Sequence, residues 1–384
     1  MEKIRNYLDR SNIDIITSTE KYWIHYTDTT RLDIQCGNGA FIFGYSDREI
    51  LDAIKNTDIM FVRSGCDESD EITEALAEKL LKKSGMAGLS WAVSGSDGVE
   101  AAIAMNDQYW KKTNPSKRKI ISIRQGYSGT TYLLKSLRDD EQLDRCITID
   151  TEDWISYDQR SDVEAKLLNN ISTELDLHRS VGCMVIESIP WINGFLPWSL
   201  DFWQRIRKIC DEHDVNLLID DVAGYGKLGE SFGHLNFFIK PDIVAIGKSF
   251  TGGYVPLSAA FCNDKIFTIL QSKWDHSHTW NPNSMGIRSA DKVFDKMEVD
   301  LSTRIQHVST QAKQLFETFP ITTVRGQGLF VEIVLDDIVD NYFLKKLGFT
   351  FNITGDRSIK FCIPLIADAD YFQFIEQVLG KVFK

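Results

Sequence analysis

DIVAIGKSFTGGYVPLSAAFCN, residues 242–263, reads as two short apolar runs separated by the glycine pair Gly252-Gly253, with one lysine, Lys248, at the mouth of the first run. Both runs are apolar nearly throughout instead of on alternate residues, which is the pattern of strands covered on both faces. Outward from this stretch the same pattern returns in SWAVSG (90–95), KIISIRQ (119–125), CMVIES (183–188) and VNLLIDD (215–221). Between them, GVEAAIAMNDQYWKK (98–112) and SLDFWQRIRKICDEHD (199–214) carry apolar residues at helical spacing. Repeated strand–helix–strand units predict an α/β fold with a mostly parallel central sheet and helices on both faces, its ligands at the carboxyl ends of the strands. After Pro282 the pattern changes to two long helical stretches (284–298 and 301–319) and short strands around TTVRGQGLFVEIVL and IKFCIPL. This predicts a large domain over 51–283 and a smaller α+β domain over 284–384, joined in space by residues 1–50.

Composition narrows the function. A chain of 384 residues with 43% hydrophobic and 11% aromatic content can bury a large core. Forty-three basic against 55 acidic residues give a net charge of −12, with no basic block suited to phosphate backbones or anionic lipid. No nucleic acid and no membrane are expected as partners. The opening MEKIRNYLDRSNID is charged and lacks an apolar signal core, which points to a soluble, cytoplasmic protein. Seven scattered cysteines without a C-x-x-C pair suggest neither a disulfide framework nor a metal site.

The unusual residues cluster at strand ends. A lysine just past a strand is ordinarily a solvated charge. At the mouth of an apolar strand, however, its amine loses water, which favours the neutral nucleophile of imine chemistry. Asp220 and Asp221 end the run NLLIDD, and either can cap a turn. A carboxylate facing the same ligand as Lys248 has a further use, because beside a pyridine nitrogen it keeps that nitrogen protonated. In AVSGSDGVEAA the strand meets a helix at Ser94-Gly95-Ser96-Asp97, where free backbone N–H groups and the Ser96 hydroxyl make a phosphate cradle. Tyr127, in IRQGYSGTT, stands where a ring can stack on a flat cofactor. Cradle, ring, acid and lysine on one parallel sheet together describe a pyridoxal 5'-phosphate site.

At these residues the sequence resembles the class III (ω-type) aminotransferases of fold type I. SGSDGVEAA is similar to the family's SGSEAVEAA, IDDVAGYGKLG to a shortened DEVQTGFGRTG, and AIGKSFTGGYVPLSA to its lysine loop. CMVIESIPWINGF resembles the segment with the "EP" strand end, HSHTWNPNSMGIRSA the "H..T..GNP" helix start, and VRGQGLF the "VRG.GL" segment. The resemblance implies that Lys248 forms the imine and shuttles protons, and that Asp220, matching the first acid of the family's "DE", pairs with the ring nitrogen. It further implies that Val222 packs beneath the ring, that Tyr127 covers the other face, and that Gly95, Ser96 and the backbone of Asp97 hold phosphate. Thr279 would come from the neighbouring subunit of a homodimer with shared sites, and Glu187 would orient the hydroxyl side of the ring or gate the substrate. Arg325 and Lys360 are the cations that could bind a substrate carboxylate, although Arg325 could equally brace the small domain. The implied reaction moves an amino group between an amine or amino-acid donor and a keto or aldehyde acceptor.

Departures fall around the substrate pocket. The family's histidine after the stacking aromatic is Ser128, the turn after Ala223 is one residue short, the glycine before Asn281-Pro282 is missing, and a carboxylate-binding arginine position reads Lys360. Among subgroups, GKSFTGGYVPLSA and SGSDGVEAAIAMNDQYW are most similar to the diaminopelargonate aminotransferases, whose N-terminal WHPYT and paired-tryptophan segments are absent here. An aminomutase or racemase would use the same lysine and acid. A non-catalytic homologue of the fold is the remaining alternative.

Overall fold

The computed structural model describes residues 14–58, 68–124, 126–138, 143–151, 160–192, 194–271, 274, 276–351 and 357–383. Fourteen strands are described: β1 (Ile16–Glu20), β2 (Trp23–Tyr26), β3 (Thr30–Asp33), β4 (Gly88–Ala92), β5 (Lys119–Ile123), β6 (Cys146–Ile149), β7 (Val181–Glu187), β8 (Asn216–Asp220), β9 (Ile243–Ile246), β10 (Ser258–Cys262), β11 (Thr323–Arg325), β12 (Phe330–Val334), β13 (Phe349–Thr350) and β14 (Ser358–Cys362). Seven form the central sheet in the order β4-β10-β9-β8-β7-β5-β6. The strands from β6 to β9 in that order run parallel, while β10 is antiparallel to both β9 and β4.

Why these strands are apolar throughout follows from their neighbours. In β8, Leu217 and Ile219 point to one face and pack with Phe202, Trp203, Ile206 and Cys210 of the helix Leu200–Glu212. Leu218, on the opposite face, joins Val99, Ala102, Ile103 and Met105 of the helix Gly95–Thr113. A strand with a helix on each side has no wet face, so the period-2 signal disappears. Six of the seven cysteines lie in described residues and all six are buried free thiols; Cys66 lies outside the described residues.

Two smaller sheets complete the fold. β11, β12 and β14 form an antiparallel sheet, and β1, β2, β3 and β13 form another in which β3 pairs in parallel with β13. The first strands of the chain therefore share a sheet with a strand near its end. Tyr26 and Thr350, 324 positions apart, meet side chain to side chain at 3.1 Å.

Candidate active site

The carboxyl ends of β7, β8 and β9 bring Glu187, Asp220 and Lys248 together. Glu187 and Asp220 are register partners at the ends of adjacent parallel strands. Lys248 follows β9 by two residues and opens a 3-10 turn, Lys248–Thr251, that Gly252 closes in the left-handed conformation. Lys248 itself has φ 49°, a region costly for a residue with a Cβ, which turns its side chain back across the strand ends.

The two acids of IDD separate cleanly. Successive residues at the end of a strand face opposite sides, so Asp220 and Asp221 diverge. Asp220 lies within the field of Lys248, and its Oδ1 accepts the Val222 N–H at 3.1 Å. Burial pushes its pKa up to about 6, against the pull of the Val222 N–H, the Lys248 charge and the Ser128 hydroxyl. Asp221, fully buried, instead accepts the Gly233 N–H at 2.7 Å and lies beside Ser188, which makes it a bracket for the following loop.

Glu187 is raised further. Burial and the neighbouring Asp220 charge push its pKa up to about 8, although it accepts the Tyr127 N–H at 3.0 Å. For Lys248 the dominant effect is desolvation, which lowers its pKa against the attraction of Asp220 and Glu187. Its amine lies 4.0 Å from the Trp191 ring centroid and 6.0 Å from that of Tyr127. Trp191 and the fully buried Lys227 were not singled out by sequence reasoning. Lys227 Nζ donates to Tyr225 O at 3.0 Å and to Ser249 Oγ at 2.5 Å, and burial lowers its pKa to about 8. Its place in GYGKLG after the IDD strand was its only signal.

The start of the helix Gly95–Thr113 packs against this group. A Cβ on Gly95 would stand 2.6 Å from Val222 Cγ1, so only glycine lets the helix start approach the loop after β8. Ser94 caps the helix, accepting the Asp97 N–H at 3.3 Å. Ser96 Oγ accepts the Thr130 N–H at 3.3 Å, tying the cradle to the loop that carries Tyr127. Ser128 holds a positive φ of 46° in that loop and supplies a hydroxyl to Asp220.

Three expected residues lie apart from the cluster. Thr279 is exposed, next to Trp280, which is 66% exposed. Arg325 is buried, and its Nε donates to Glu332 Oε2 at 2.6 Å across the β11–β12 pair. Lys360, in register with Glu332 from the other side, donates to Ile192 O at 2.7 Å. Arg325 and Lys360, the cations expected as candidates for a substrate carboxylate, are both engaged by the protein. Lys360 thereby holds the loop after β7, and Gly194 of that loop packs close to Arg325, where a Cβ would stand 2.6 Å from Nη2. That loop also carries Trp191, whose ring meets Phe330 of β12 edge to face at 5.8 Å.

Comparison with known proteins gives a consistent result. The family model for aminotransferase class-III matches residues 9–383. The chain is 27% identical over 357 residues to the acetylornithine aminotransferase of Aquifex aeolicus, covering 91% of this chain and 92% of that protein. It is also 27% identical over 375 residues to the adenosylmethionine-8-amino-7-oxononanoate aminotransferase of Methanocaldococcus jannaschii, covering 87% and 81%. In fold it is similar to an amine transaminase from an uncultivated Pseudomonas species in the PLP-bound form, with a TM-score of 0.87, 21% identity, and 97% and 95% of the two chains covered.

Proposed function

This chain belongs to the class-III aminotransferase family, and from that premise we propose how its own residues carry the reaction. The activity is pyridoxal-phosphate-dependent transfer of an amino group between an amine or amino acid and a keto acceptor. The site fits that cofactor: a helix start that tolerates only glycine against Val222, an acid at a strand end, and an amine kept short of full charge by desolvation. When bound, pyridoxal phosphate supplies an aldehyde that condenses with amines and an electron-poor ring that stabilises the charge left when a neighbouring C–H proton departs.

The chain's residues do the rest. Lys248 would be the amine that holds the cofactor, and the same amine would serve as the base that takes the substrate's proton and returns it. Asp220 would hold the proton at the ring nitrogen. Tyr127 and Val222 would cover the two faces of the bound ring, and Glu187 would stand on its hydroxyl side, where a carboxyl raised to about 8 could donate. Gly95, Ser96 and the first turn beyond them receive the phosphate at the positive end of the helix. We read the assembly as a homodimer in which Thr279 of each chain reaches the other's phosphate site; its exposure beside Trp280 supports this. The division into a large domain over 51–283 and a small one over 284–384, with residues 1–50 joining the latter, is supported by the separate sheets and by the β3–β13 pair. The two named relatives are equally identical to the chain, so identity favours neither acetylornithine nor 8-amino-7-oxononanoate as substrate.

The observation that carries this reading is the meeting of Lys248 and Asp220, each within the other's field at adjacent strand ends. The test is borohydride reduction of the enzyme followed by peptide mapping. The label is expected on Lys248, and Lys248→Ala is expected to lose both label and turnover; a label on Lys227 would overturn the assignment. Exchange of amine between two different molecules separates aminotransferase action from amino migration or racemisation.

A further inference from the structure

Asp97, His276 and His278 direct one ligand atom each to a common point beside the start of the helix Gly95–Thr113, all within 4.8 Å of one another. His278 Nε2 lies 2.7 Å from Asp97 Oδ1, and His276 Nε2 lies 3.4 Å from the same oxygen. The second contact is too poorly directed for a good hydrogen bond, so the buried His276 Nε2 has only this long approach to the carboxylate among the described residues. A buried imidazole nitrogen held by so long a contact is a cost that a fold ordinarily avoids.

The geometry suits a different occupant. Ligand atoms 2.0–2.1 Å from a tetrahedral zinc stand about 3.3 Å apart, close to the His276–Asp97 separation. Asp97 is oriented from behind, because its second carboxylate oxygen accepts the Val93 N–H at 2.6 Å, as outer-shell donors orient ligating carboxylates. His276 is fixed by ring contacts to Trp274 and His278 at 5.9 and 5.0 Å, while the His278 side chain is 45% exposed in the single chain. Two imidazoles and one carboxylate with an open position form the donor set of a borderline divalent ion.

We infer that Asp97, His276 and His278 bind a divalent transition-metal ion, zinc by the chemistry of the donors, with water completing the coordination. The ion would pin the segment 276–279 to the helix start and so fix the exposed Thr279 that follows His278. The sequence hides the site, since the two histidines are two apart and the acid lies far upstream.

The test uses holoenzyme freed of excess cofactor, which itself chelates metals, stripped with a chelator and titrated with zinc. One zinc per chain is expected, with a melting temperature that rises with zinc concentration. His278→Ala should weaken binding by at least about a hundredfold, the upper end of what losing an outer-shell group costs. His278→Gln keeps the size and the hydrogen bond to Asp97, so it should fold as the parent does and still lose the metal, which serves the comparison if His278→Ala does not fold. Failure of the parent enzyme to hold stoichiometric zinc overturns the proposal. So does equal affinity in parent and His278 variants, which would put the ion on others among the seven histidines.

Discussion

Two groups of buried charge sit within reach of the loop after β7, and they are built on opposite principles. At the strand ends, Glu187 and Asp220 stand side by side with raised pKa values, and Lys248 faces them with a lowered one, so burial has been left largely uncompensated. In the small sheet, Arg325, Glu332 and Lys360 form a row across three strands in which each charge has a close partner. The first group keeps its chemistry available to a ligand; the second consumes its charge in holding Gly194 and the loop. Residue type alone does not distinguish them, because a buried charge is expensive in both and only its partner differs.

Removing the charge at Asp220 should break this contrast most sharply. Asp220→Asn keeps size and packing but cannot hold the ring nitrogen's proton, and turnover should fall roughly 10²–10³-fold or more, with the melting temperature little changed. Asp221→Asn should do the reverse, lowering stability through the Gly233 contact while turnover stays near the parent value. If the two outcomes were exchanged, the division between the faces of β8 would be wrong.

Arg325→Gln probes the paired group. It removes the hydrogen-bonded partner of the buried Glu332 and leaves only Lys360 beside it, a loss of up to about 3–5 kcal/mol, seen as a melting temperature lowered by several degrees. Because the arginine acts through the loop, rates with a carboxylated amine and with a carboxylate-free amine of similar length should fall by similar factors. A selective loss on the carboxylated donor would show that the guanidinium leaves Glu332 to bind substrate.

The smallest expected effect is a slope. A carboxyl whose folded pKa is raised stabilises the fold fully below its unfolded value, and this contribution is lost as pH rises through the folded value. For Glu187, from its ordinary 4.5 to about 8, the cofactor-free protein should lose melting temperature across that window, and Glu187→Gln should flatten the decline. Asp220 and Asp221, raised to about 6 and about 7, contribute in the same direction and keep part of the slope in the variant.

The sequence exposed one of these groups far better than the other. Strands buried on both faces announce themselves by unbroken apolar runs, so β4, β5, β7, β8, β9 and β10 and the residues at their ends were legible. β6 was not, because CITI is only four residues long and half its positions are partly exposed. Arg325 stood out as a cation just before two glycines, but its partner Glu332 is set by hairpin register, which no local pattern specifies. Trp191 had no visible link to Lys248 in a loop without periodicity. Ser128 was noticed only as the residue standing where a histidine was expected, and its hydroxyl reaches Asp220 through a backbone twist that serine rarely adopts.

The parallel pair of β3 with β13 ties the order of synthesis to the order of folding. Tyr26 emerges from the ribosome 324 residues before the Thr350 it will touch. At about 5–20 residues per second the N-terminal strands wait on the order of tens of seconds for their sheet partner. During that interval the β3 edge is open to any other strand that can supply the missing backbone hydrogen bonds. The nascent chain must therefore be kept from pairing with its neighbours on the same message, and truncations near the C-terminus should surface as aggregation of the N-terminal strands, far from the deleted residues.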